Sequence, residues 1–201
     1  MADRSETFRL FIAVPIPATV RAGLGALQCD WAAQGMPFRW TRPVGMHLTL
    51  VFLGQTPAEL VEPISVALRE AARSSQALRL AVCGLGCFPG PSRPRVLWAG
   101  LDGDVSDVAA LQRSVAQRVT ALGLALEDRA FRPHVTLGRA TGPLQGPSER
   151  FLRERLCEPV QFGEWKAESV ELVRSQLRRD GSVYTTLSHA TLGGSPSPGL
   201  R

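Results

Sequence analysis

His47 opens the stretch HLTL and His134 opens HVTL, far apart in a chain that holds only three histidines. In an extended segment, residues i and i+2 share a face. His47 and Thr49 would then point one way, as would His134 and Thr136. Leu48, Leu50, Val135 and Leu137 would anchor the two strands from the other side. An imidazole, with an unperturbed pKa of about 6.5, gives or takes a proton near neutrality. A threonine hydroxyl beside it can donate a hydrogen bond to a phosphoryl oxygen. Two such pairs around one phosphate supply an acid, a base and two hydroxyl donors. Displacement at phosphorus needs that set, and it needs no metal. His189, in LSHAT, is read as structural or surface-exposed.

The elements that would position these groups alternate between strand and helix. Residues 8–14, FRLFIAV, read as a buried strand ended by Pro15. Residues 18–33 carry Val20, Leu24, Leu27 and Trp31 at helical spacing, and 38–40 form a short strand. A strong strand over 46–53 is expected to close at Gly54. Residues 57–74 predict a helix, with Thr56 as N-cap and Pro57 in its first position. Residues 78–88 and 95–101 read as extended, on either side of a proline-rich turn. Residues 105–122 predict an amphipathic helix with Val108, Leu111, Val115 and Val119 inward. The strand over 131–139 is bent early by Pro133, and 148–156 form a short helix. Residues 165–177 and 184–192 suggest a hairpin turning at Asp180 and Gly181.

An internal repeat ties these elements to the histidines. His47 and His134 lie 87 positions apart. The same shift lays Leu10 on Leu97, Phe11 on Trp98, Ala13 on Gly100 and Val14 on Leu101, and it overlaps the two long helices. Each half then reads strand, helix, HxT strand. A duplicated lobe would set the two histidines face to face across a pseudo-two-fold axis, in a cleft.

With 201 residues, 44% hydrophobic, the chain supports one domain with a substantial core and room for two lobes. That domain is expected over residues 1–192, with a flexible tail over 193–201, GGSPSPGLR. The net charge of +5 favours an anionic partner, nucleic acid or a nucleotide first. The basic residues, mostly arginine, form no long run of the kind that binds membranes. Cys83 and Cys87, in CGLGC, lack CxxC spacing and a nearby histidine, so they read as buried free thiols rather than zinc ligands. The N-terminal stretch does not read as a signal peptide, and no segment reaches the ~18 apolar residues of a membrane span. The expectation is a cytoplasmic monomer with no membrane partner.

HLTLVFLG and FRPHVTLGR resemble the two signature strands of the two-histidine phosphoesterase superfamily. More narrowly, the chain is similar to the LigT-like RNA 2′,3′-cyclic phosphodiesterases of bacteria and archaea, once called 2′-5′ RNA ligases. FRLFIAVPIP, FPGPSRPRVLWAGL and ESVELVRSQLRRDGSVYTTL add to the resemblance, which runs to about Leu192. It implies an α+β fold of two duplicated lobes, with antiparallel sheets lining a central cleft and helices outside. It also implies RNA ends as substrate, with a 2′,3′-cyclic phosphate opened to a 2′-phosphomonoester and no cofactor. His47 would be the proton donor to the 3′ oxygen, and His134 the acceptor that activates water. Thr49 and Thr136 would hold the non-bridging oxygens.

Phe52 and Arg139 each stand five positions after a motif histidine. Arg139 could neutralise phosphate and Phe52 could stack on a base. Strict alternation turns both away from the histidine face, so a bulge or strand end must turn them back. Arg132 lies on the side of His134 if alternation holds through Pro133. Trp40 and Arg42 could line the cleft, with core packing favoured for Trp40. Other substrates of the superfamily, a 2′-5′ oligonucleotide phosphodiesterase, a ligase, or a non-catalytic RNA- or nucleotide-binding module are the alternative readings.

Overall fold

The computed structural model describes residues 6–178 and 181–193. Asp180 of the expected hairpin turn and the tail beyond Gly193 lie outside the described residues. In chain order the elements are β1 (Thr7–Pro15), α1 (Ala18–Ala33), β2 (Phe38–Trp40), β3 (His47–Pro57), α2 (Val61–Arg73), β4 (Leu78–Phe88) and β5 (Val96–Gly103). They continue as α3 (Val105–Ala121), β6 (Val135–Ala140), α4 (Pro147–Leu156), β7 (Gln161–Ala167), β8 (Ser169–Arg178) and β9 (Gly181–Thr191).

The expected sheets are one sheet. All nine strands join it in the order β7-β4-β5-β6-β3-β1-β8-β9, with β2 also on β6. Every pairing is antiparallel. At its middle, β3 and β6 share a single pair, Leu48 with Val135. Three strands flank each: β5, β4 and β7 beside β6, and β1, β8 and β9 beside β3. The sheet is thus two lobes hinged on the two histidine strands.

Two hydrophobic cores lie under the lobes. In one, Ile64 and Leu68 of α2 and Val108, Leu111, Val115 and Val119 of α3 cover Leu10, Ile12, Leu48, Leu50 and Leu172. In the other, Val20, Leu24 and Trp31 of α1 and Leu152 of α4 cover Val82, Leu97, Val135 and Leu137. The first helix of each repeat therefore packs on strands of the other. The apolar stripe of α1 contains Gln28 rather than Leu27, because positions 24, 28 and 31 are the ones that stack on one helix face.

Other expectations need correction. The strand after His47 does not stop at Gly54. Gly54 takes a positive φ of 69° and the strand runs on to Pro57, paired with Thr7. Thr56 is fully buried inside that strand and its hydroxyl donates to the Gly54 carbonyl, so it caps nothing. The helix that was expected from Pro57 begins as a 3-10 turn, Ala58–Leu60, and becomes α-helical at Val61. Residues 131–134 stay outside β6, because Pro133 has no N–H for a ladder. The stretch 165–177 is two strands: β7 pairs with β4 at one sheet edge, and β8 pairs with β1 and β9 near the other. All four cysteines are free; Cys87 is buried, Cys83 half-buried, and Cys29 and Cys157 are exposed.

Candidate active site

Both histidines are held by the same local device. His47 Nδ1 lies 2.8 Å from the Gly45 carbonyl, two residues back. His134 Nδ1 lies 2.7 Å from the Arg132 carbonyl, also two residues back. A carbonyl only accepts, so Nδ1 must carry the proton in each ring. Nε2 is left open in both, with a lone pair when the ring is neutral.

The bulge that Phe52 and Arg139 required is present, twice. Opposite β1, the register steps from Thr49 beside Ala13 to Val51 beside Ile12, skipping Leu50. Opposite β5, it steps from Thr136 beside Trp98 to Gly138 beside Leu97, skipping Leu137. Each skipped residue is the third after its histidine. An extra residue reverses the alternation. Phe52 pairs with Phe11 and Arg139 with Val96, on the face that carries the threonines. Gln28 holds the second bulge: its Nε2 donates to the Leu137 carbonyl and to the Thr41 carbonyl, each at 2.8 Å.

These registers also correct the overlay of the two halves. The histidine strands superpose with a shift of 87, but Val14 sits by Leu48 as Ala99 sits by Val135, a shift of 85. The counterpart of Phe11 is therefore Val96, and that of Ala13 is Trp98. The HxTL frame is also less selective than the sequence reading held, because His189 opens HATL. The structure puts it, exposed, on edge strand β9, outside the space beside His47.

Aromatic rings enclose both imidazoles. Phe11 stacks on His47 with ring centroids 4.5 Å apart, and Tyr184 meets His47 edge-on at 5.4 Å. Phe88 meets His134 edge-on at 5.1 Å, with Trp98 at 6.2 Å. Tyr184 and Phe88 were not among the expected site residues; a single aromatic on a strand carries no periodic signal. Burial pushes His47 below the ordinary imidazole value, against the Gly45 hydrogen bond, and the charge of His134 adds to the lowering. Burial likewise lowers His134, against the Arg132 carbonyl, and Arg139 adds to it. The charge of His134 thus reaches His47.

A space of about 250 Å³ opens beside His47, lined in part by Phe11, Val44, Glu171, Tyr184 and Thr186. Neither the Thr49 nor the Thr136 hydroxyl has a hydrogen-bond partner among the described residues. Arg132 is exposed, and its main-chain carbonyl is the part that touches His134. Trp40 is half-buried in the core beside Phe38. Among the described residues, no cluster of three or more His, Cys, Asp or Glu is placed to hold a metal ion. No described helix is long and apolar enough to cross a membrane.

The family of LigT-like phosphoesterases matches residues 14–98. An RNA 2′,3′-cyclic phosphodiesterase of Aeropyrum pernix is 34% identical over 82% of this chain and 92% of its own length. This chain belongs to the LigT-like phosphoesterases. A second RNA 2′,3′-cyclic phosphodiesterase, from Thermus thermophilus, is 35% identical over 92% of this chain and 91% of its own. Among solved LigT-like folds, a Thermus thermophilus protein superposes with a TM-score of 0.77 at 33% identity, covering 92% of this chain and 98% of that one. Escherichia coli LigT complexed with 3′-AMP gives 0.72 at 26% identity, covering 94% and 100%.

Proposed function

We propose that this LigT-like phosphoesterase opens RNA 2′,3′-cyclic phosphate ends to 2′-phosphomonoesters, with His134 as base and His47 as acid. The observation that carries the reading is the pair of imidazoles, each with Nδ1–H on a backbone carbonyl and Nε2 open, in a chain akin to RNA 2′,3′-cyclic phosphodiesterases over most of its length. Water gives a proton to His134 Nε2 as its oxygen bonds to phosphorus. The bond from phosphorus to the 3′ oxygen breaks, and His47 Nε2–H protonates that oxygen. The ring left protonated and the ring left neutral then exchange one proton through solvent, which restores the starting state.

Both imidazoles favour the neutral form in the free protein. The anionic phosphate of the substrate reverses this for His47 by stabilising its imidazolium. The polarity is the one that the resemblance to RNA 2′,3′-cyclic phosphodiesterases implies, with the leaving 3′ oxygen at His47 and with Arg139 near enough to His134 for its charge to be felt there. Thr49 and Thr136 donate to the non-bridging oxygens, Phe52 stacks on a base, and Arg139, with Arg132 at the rim, meets negative charge. One chain supplies both histidines, so a monomer suffices, and four free thiols suit a reducing cytoplasm.

The test is phosphorus NMR of the product from a dinucleotide ending in a 2′,3′-cyclic phosphate, in excess EDTA. A 2′-phosphomonoester is expected. A 3′-phosphomonoester would overturn the His47 assignment, and an EDTA-abolished rate that zinc or magnesium restores would overturn the metal-free chemistry.

A further inference from the structure

Arg139, whose charge reaches His134, also lines a second groove of about 470 Å³, larger than the space beside His47. Arg39, Arg93, Arg95 and Arg139 line it, with Ser92 and Thr141, and no carboxylate is among its lining residues. None of the four arginines makes an ion pair within the described residues. Three of them are brought together by the sheet. Arg39 pairs directly across from Arg139 in β2 and β6, and Arg139 pairs with Val96, the neighbour of Arg95.

The groove is joined to the catalytic centre through backbone. The Arg95 N–H donates to the Phe88 carbonyl at 2.7 Å, and the Ala140 N–H donates to the Arg95 carbonyl at 3.0 Å. Phe88 is the ring against His134, and Arg139 is felt electrostatically by that histidine. The loop that begins at Phe88 thus carries Arg93 and Arg95. Four like charges concentrated in one depression repel each other unless an anion sits among them. A single cyclic phosphate between the histidines would leave most of the groove empty. The matching occupant carries several phosphates, spaced along a flexible strand and continuous with the reacting end.

We propose that the groove of Arg39, Arg93, Arg95 and Arg139 binds the phosphodiester backbone of single-stranded RNA behind the cyclic end, so that the enzyme prefers oligonucleotides to cyclic mononucleotides. This rests on the proposed reaction for its substrate, but not for its binding. Guanidinium groups in a fork suit phosphate oxygens, and contacts to backbone carry no base preference.

The experiment compares kcat/KM for uridine 2′,3′-cyclic phosphate and for a uridine hexanucleotide ending in the same group. A preference for the hexamer of at least about tenfold at low salt is expected, shrinking as salt rises. The triple variant R39Q/R93Q/R95Q should lose that preference. Its affinity for a fluorescent hexamer with an ordinary 3′-OH end should depend on salt with a log–log slope lower by about 2, from ~0.7 per lost phosphate contact on a single strand. Binding of the 3′-OH hexamer is read without turnover, so a failed reaction and a failed groove are distinguishable. Equal kcat/KM for mononucleotide and hexamer, or a triple variant that keeps the preference and the slope, overturns the proposal. Displacement of the labelled hexamer by inorganic tripolyphosphate at the concentration of unlabelled hexamer that suffices would reassign the groove to a free polyphosphate and overturn it too.

Discussion

The two halves of the sheet share a backbone plan and differ in what they hang on it. Both place a histidine two residues after the carbonyl that fixes its ring, a bulge three residues after the histidine, and a cleft-facing side chain at the fifth. At that fifth position one half has Phe52 and the other Arg139. Beside His47, β1 contributes Phe11 and β8 contributes Val173 across from it. Beside His134, β5 contributes Val96 and β4 contributes Phe88. The aromatic and the valine have changed strands. One step further, Ala13 faces Glu171 where Trp98 faces Gly86, and a Cβ on Gly86 would come within 2.2 Å of the Trp98 ring. The shared backbone gives two imidazoles, each with Nδ1 held and Nε2 open. The unshared side chains put an aromatic ring at the fifth position of one half and a guanidinium at the fifth position of the other.

If the halves are equal partners in proton transfer, His47→Ala and His134→Ala should each cost at least ~10²-fold in kcat. The double variant should lose far less than the product of the two, since both act in one step. Steady-state turnover of the cyclic-phosphate dinucleotide reads this; near-normal turnover of either single variant would break the symmetry. His189→Ala, on the same assay, should change little.

The fifth positions sharpen the contrast. Arg139→Gln removes a charged hydrogen-bond donor worth about 1.5–3 kcal/mol, a loss of roughly 10- to 100-fold in kcat/KM that added salt partly masks. Phe52→Ala should lose about 1–3 kcal/mol of stacking, read in KM, with weak dependence on salt. Matching salt responses for the two variants would count against different roles for the two fifth positions.

The supports of the His134 half come next. Gly86→Ala should unseat Trp98 and cost about 1–3 kcal/mol of stability by overpacking. Gln28→Leu removes the donor shared by the Leu137 and Thr41 carbonyls, at about 0.5–1.5 kcal/mol per bond, while the Leu137 carbonyl keeps the Thr41 N–H. Urea denaturation measures both, and a Gln28→Leu chain with unchanged midpoint and activity would show that the bulge stands without its clamp.

The smallest effects are in pH. Both histidines lie below their ordinary value, so the active mixed state of the free enzyme, one ring protonated and one neutral, falls at low pH. The kcat/KM profile should be a bell with its alkaline limb below about 6.5, and that limb should shift upward in kcat, where bound phosphate favours imidazolium. Stability follows the same sign. The unfolded rings bind protons first as pH falls, so stability is intact above about 6.5 and declines below it. The decline should be shallower in the double alanine variant; thermal midpoints from pH 8 down to 5 would show otherwise if the slopes were equal.

The family and the two histidine strands were legible in the sequence because HLTL and HVTL combine a reactive type with a two-residue period. The elements of strong periodicity, β1, α1, α3 and β4, came through for the same reason. Where a bulge or a proline interrupts the period, local reading faltered: the strand past Gly54, the start of β6, and the two-residue mismatch between the repeats. Tyr184 and Phe88 reach the histidines through pairings set at long range, which no window of sequence displays. Gln28 did leave a signal, a polar residue in the inward stripe of a helix, and such a residue asks for a buried partner.

Because α1 and α3 cross to opposite lobes, the two cores are completed at different moments of synthesis. The core under His134 draws on residues from Ile16 to Leu152, with Phe162 and Trp165 packed against it. The core under His47 needs Val170, Leu172, Ala190 and Leu192 as well. A nascent chain can therefore close the first core while the second waits for its last two strands. Until β8 arrives, β1 is left with the N–H and C=O groups that would pair with residues 171–174 open to any other strand. Synthesis of β8 and β9 is thus what turns a sticky half-sheet into a closed one.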